Sequence, residues 1–132
     1  SDLHVEHVVR SLASEITEQL ILSTPVDTSW AQGNWIATIG DVFQGPDGSY
    51  GTQGVANSAT FSGAQLRGLG TIAQWKTGQG PIYVSNMVPY IRLLDAGSSD
   101  KAPSGFVSIA IHTAIINTHN NPNVSSVKYD IG

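Results

Sequence analysis

The chain has 132 residues, 40% of them apolar and only 12% charged, with a formal net charge of −4. One domain-sized hydrophobic core fits that length, and the apolar share excludes a chain too polar to fold. Six cationic side chains are too few for phosphate-driven nucleic-acid binding, and the absence of cysteine excludes disulfides, thiolate metal sites and thiol nucleophiles.

Leu3, Val5, Val8, Val9, Leu12, Ile16 and Leu20 recur at spacings of three and four, which predicts an amphipathic helix. Pro25 ends it, because the ring removes a donor and keeps its predecessor from helical angles. Asp2, Glu6 and Arg10 interrupt the first twelve residues, so they do not read as a secretory signal, and an intracellular product is expected. Pro25 to Ser29 reads as a turn or extended entry to a strand at Trp35 to Ile39, which Gly40 closes. Asp41 to Ala59 carries Gly45, Gly48, Gly51, Gly54 and Pro46 with few large aliphatic residues, and reads as a long exposed loop. Phe61, Leu66, Leu69 and Ile72 then predict a helix capped by Thr60 or Ser62 and stopped by Gly78. Pro81 to Ser85 reads as a strand, and Val88 to Leu94 as a short helical turn with Pro89 in its first position and Gly97 at its end. A polar connector, Ser98 to Gly105, leads to a helix over Phe106 to Asn117, with a final strand within Val124 to Tyr129. This order predicts a single α+β domain over residues 1–132, its small, mostly antiparallel sheet packed with an N-terminal, a middle and an apolar C-terminal helix.

Residues that could carry chemistry are scattered. His4 and His7 share a helix face and His112 and His119 lie seven apart, but neither pair has the third ligand that zinc requires. Asp27, Asp95 and His112 could join a serine in a hydrolase triad, yet no nucleophile elbow accompanies them. Gly63, Gly68 and Gly70 lack the lysine and spacing of a phosphate loop. Trp30, Trp35, Tyr83 and Tyr90 suit a ligand-stacking platform or, more simply, core anchors, and Arg92 with Asp95 suits a surface ion pair. No cofactor or metal is expected. The alternatives to a structural role are thus a small ligand-binding or regulatory module using the Trp/Tyr cluster, and a small hydrolase around His112 and Asp95.

A stronger signal is an absence. From Ala102 to Val127 there is no charged residue, and Phe106, Ile109, Ile111, Ile115 and Ile116 occupy several sides of one helix. A helix apolar all round needs cover on more than one face. In so small a domain a neighbouring subunit is the simplest cover, and these five residues are the interface candidates. The stretch is too short to cross a membrane.

Two segments are distinctive. Thr24-Pro25-Val26-Asp27-Thr28-Ser29-Trp30-Ala31-Gln32-Gly33-Asn34-Trp35 resembles the TPVDTG-x-A-R-G-N-W signature of tailed-bacteriophage neck and tail-completion proteins of the lambda protein Z type. Pro81 to Gly105 resembles that family's P-V-Y-I-x-N-x-L-P-Y-A-x-x-L-E-x-G-x-S-x-Q-A-P-x-G block, in the same order and at the same distance. The chain departs from the pattern at Ser29, Gln32 and the pair Asp100-Lys101. The resemblance implies a non-catalytic virion protein at the head-to-tail junction, made in the host cytoplasm. It also implies a ring, with six copies preferred, between the head connector and the tail tube or tail terminator. Its motif residues are Pro25, Asp27, Thr28, Trp30, Asn34, Trp35, Asn86, Pro89, Tyr90, Gly97, Pro103 and Gly105. Pro25 and Asp27 would fix the entry to the first strand, Asn86 and Pro89 the turn after the second, and Pro103 with Gly105 the start of the last helix.

Overall fold

The computed structural model describes residues 3–25, 29–51, 58–99, 102–119 and 126–132. In chain order these form α1 (Leu3–Ser23), α2 (Ser29–Gly33), β1 (Ile36–Ile39), α3 (Ser58–Ile72), β2 (Ile82–Ser85), α4 (Ile91–Asp95), α5 (Phe106–Thr118) and β3 (Val127–Asp130). The expected α+β class is observed, with the long helices laid over a three-stranded sheet of order β1-β2-β3. The sheet is mixed rather than mostly antiparallel. β1 pairs antiparallel with β2, whereas β3 returns through the α4–α5 crossover and pairs parallel with it, Ile82 opposite Val127 and Val84 opposite Tyr129.

The apolar stripe of α1 explains this packing. Val9 and Ala13 bury against Ala37, Ile82 and Trp75, while Leu12, Ile16, Leu20 and Ile21 join Val84, Phe106, Ala110 and Ala114. Each fully buried aliphatic side chain stabilises by about 1.5–3 kcal/mol, so α1 is the spine on which sheet and α5 are assembled. α3 approaches it closely at Gly68, where a Cβ would come within 2.9 Å of Thr17 Cγ2. The start of α1 is tied down by a buried carboxylate: Glu6 is ion-paired with Arg10 at 3.1 Å and accepts from the Thr77 backbone and hydroxyl, while Arg10 Nε–H donates to the Trp75 carbonyl at 2.8 Å.

Several boundaries differ from expectation. α2 replaces part of the extended entry, and its neighbours Val26, Asp27 and Thr28 lie outside the described residues. α3 takes Ser58 and Ala59 from the expected loop and ends at Ile72, well before Gly78. It stops because Trp75 turns inward, is 4% exposed and donates its indole N–H to the Gly80 carbonyl at 2.7 Å. α4 begins at Ile91 with Tyr90 as its N-cap, so Pro89 stands one residue before the cap rather than first in the helix. α5 follows the expected span closely, and β3 begins at Val127.

Candidate functional site

The two distinctive segments interlock. In the first, the Trp35 indole N–H donates to Thr24 Oγ1 at 2.7 Å and Thr24 donates in turn to the Leu20 carbonyl, which ties the end of α1 to the start of β1. Asn34, 1% exposed, is the hub. Its amide nitrogen donates to the carbonyls of Trp30 at 2.9 Å and Asp47 at 3.0 Å, and its oxygen accepts the Asp47 N–H at 2.7 Å. Trp30 Nε1–H donates to the same Asp47 carbonyl at 3.1 Å. The end of this loop, residues 47–51, is therefore docked on α2 by backbone bonds that its composition does not announce, while Asp41, Gln44 and Pro46 are exposed as expected. Gly33 is required at this seam, because a Cβ there would run into the Tyr50 carbonyl. Within the docked turn, the Asp47 carboxyl is held below the usual carboxylate range by hydrogen bonds from the Ser49 hydroxyl and backbone.

The second segment completes the lock. Asn86, also 1% exposed, donates to the Ala31 carbonyl of α2 at 2.8 Å and accepts the Val88 N–H at 3.2 Å. The Tyr90 ring lies 6.1 Å from that of Trp30, tilted by 58°. Gly97, at φ +95°, ends α4: its N–H and that of Ser98 return to the carbonyls of Leu94 and Leu93, a paired C-terminal closure that a left-handed residue permits. Asp95 then starts α5. It accepts the Gly105 N–H on its carbonyl at 2.6 Å and the Val107 N–H on its carboxylate at 3.0 Å, with Gly105 in the left-handed region as N-cap and Pro103 exposed just before it. A carboxylate at a helix N-terminus answers both the orphan donors and the dipole. Asp95 is thus a helix-capping group, a role hidden in the sequence because its partners lie ten and more residues downstream. Pro25 is buried at the end of α1; Asp27 and Thr28 lie outside the described residues.

The helix α5 divides the interface candidates. Phe106 is 1% exposed and belongs to the subunit's own core with Val107, Ala110 and Ala114, so it offers no surface to a partner. Ile109 and Ile116 are 50% and 64% exposed and, seven apart, share the outward face with the exposed His112. Ile111 and Ile115 are half-buried. Together with Leu12, Ile16 and the β3 residues Val127 to Tyr129 they line an open groove of about 380 Å³. A second pocket, of about 350 Å³, lies between β1 and α3 and is lined by Ile36, Ala37, Tyr50, Leu66 and Arg67, among others. Arg67 is stacked over the Tyr50 ring at 3.5 Å and donates to the Gly33 carbonyl at 2.8 Å, while its buried Nε has no hydrogen-bond partner among the described residues.

The other constellations do not assemble. His4 and His7 are exposed on α1, and no group of three or more His, Asp or Glu side chains placed to hold a metal occurs among the described residues. His112 points outward while Asp95 is engaged at the helix start, so no triad forms around them. Trp35 is core, Trp30 and Tyr90 meet, and Tyr83 stands on the sheet face away from Val84 and the helices, so the aromatics make no single platform. Gly63, Gly68 and Gly70 lie within α3. The described helices include none long and apolar enough to cross a membrane. No protein-family model, curated protein or solved structure matches the chain.

Proposed function

We propose that the chain is a non-catalytic structural subunit of the tailed-phage head-to-tail junction, where about six copies close into a ring between the head connector and the tail tube or tail terminator. The observation that carries the assembly half of this reading is α5: a helix without a charged residue, packed on α1 through one face and presenting Ile109 and Ile116 to solvent on the other. The junction itself rests on the resemblance of residues 24–35 and 81–105 to the neck-protein patterns. The interlock supports it, since the residues of those patterns build a rigid frame rather than a reactive cleft. Virions are the mature location and the host cytoplasm the site of assembly; neither a membrane nor specific nucleic-acid contact is part of the role. The test is a phage carrying an early stop codon in this gene. Full heads and complete tails should accumulate unjoined and be rescued by the chain supplied in trans; joined particles in normal yield would refute the assignment.

A further inference from the structure

Among the described residues no further strand pairs with β1 or β3, and the geometry of these two edges is complementary. Gly40 N–H donates to the Pro81 carbonyl at 2.9 Å, so by the alternation of an antiparallel ladder Ile36 and Thr38 bond to β2 while Ala37 and Ile39 direct their backbone groups away from it. At the other edge Asn86 N–H donates to the Asp130 carbonyl at 2.9 Å, which leaves Val127 and Tyr129 directing theirs outward. All four of these residues share the register of Ile82 and Val84 and stand on the helix side of the sheet. β1 runs opposite to β2 and β3 runs with it, so a rotation about an axis along the strands lays β3 antiparallel beside the next subunit's β1.

We infer that the sheet continues from subunit to subunit through this pairing, Val127 opposite Ile39, Lys128 opposite Thr38 and Tyr129 opposite Ala37. That register alone matches all four residues of each strand, joins outward-bonding residues to one another, and keeps the helices of both subunits on one face. It also matches shapes. Tyr129, 49% exposed at the edge of β3, meets the pocket beside Ala37, which Tyr50, Leu66 and Arg67 also line. Leu66, 70% exposed beside that pocket, in turn faces the apolar groove that β3 shares with Ile111 and Ile115 of α5. The edge is continuous with the interface helix through that groove, so one neighbour covers both.

This pairing rests on the ring reading and sharpens it into a register that can be trapped. The chain has no native cysteine, and Lys128 and Thr38 would form a pair without mutual hydrogen bonds, about 4.5 Å apart at Cα and within disulfide reach. A mixture of Thr38→Cys and Lys128→Cys proteins, each verified as folded by circular dichroism, should oxidise mainly to the mixed dimer, and the double variant to a ladder of linked multimers. Tyr129→Ala, a change at a half-exposed site, should leave folding intact and weaken self-association roughly tenfold in sedimentation. Oligomers that form without the mixed link, and with Tyr129→Ala at full strength, would overturn the pairing while leaving the ring intact. A chain that stays monomeric and unlinked at millimolar concentration would overturn the pairing together with self-assembly of the free subunit.

Discussion

Asn34→Ala is expected to lower the unfolding free energy by about 3 kcal/mol and to release residues 47–51 from α2. The side chain is 1% exposed and supplies both donor and acceptor to the Asp47 backbone, as well as a bond to the Trp30 carbonyl. Alanine leaves partly buried peptide groups unpaired, each costing up to about 1–3 kcal/mol; the remaining Trp30 bond to Asp47 keeps the loss below the sum. Urea denaturation gives the magnitude, and limited proteolysis shows where the chain opens. Cleavage within 41–51 should rise in Asn34→Ala but not in Asn86→Ala, which breaks the buried bonds to Ala31 and Val88 instead. A change below about 0.5 kcal/mol, the ordinary range for surface substitutions, would show that Asn34 is not the hub.

The second large effect separates the two faces of α5. Ala114, 0% exposed, packs in the core cluster with Leu12, Ile16 and Phe106. Glutamate there adds volume and an unpaired buried charge, a loss of about 4 kcal/mol or more, and should yield insoluble chain. At Ile109 and Ile116, 50% and 64% exposed, the same charge stays in water. The double variant Ile109→Glu with Ile116→Glu should therefore be soluble and melt cooperatively near the parent, yet fail to join heads to tails when supplied in trans. Thermal unfolding and a particle-yield assay read the two halves separately. Normal joining by this folded variant would remove the outward face of α5 from the interface.

Legibility in the sequence followed the range of the interactions. The apolar spacing of α1, the break at Pro25, the uncharged, largely apolar run of α5 and the stop at Gly97 are local signals, and each element stands close to where those signals place it. Glu6 and Arg10, four apart on a helix, carried the spacing of an ion pair, but the Trp75 and Thr77 groups that make the pair a tether are more than sixty residues away. Likewise Asp95 read as a surface charge until the crossover brought the start of α5 onto it. Composition marks 41–51 as a loop but not its anchor, because backbone groups captured by Asn34 leave no hydrophobic pattern to detect. The all-round apolarity of α5 was visible as a need for cover, but only packing on α1 divides Phe106 from Ile109 and Ile116. Arg67 over Tyr50 depends on the docked turn and has no spacing signature.

The place of the chain in the particle can be read by imaging assembled particles at a resolution that separates subunits. Such images should show a closed ring of about six copies at the head-to-tail junction, with the outward face of α5 covered and β3 of each subunit beside β1 of the next. Absence of the chain from the junction, or one or two copies there in place of a ring, would contradict it.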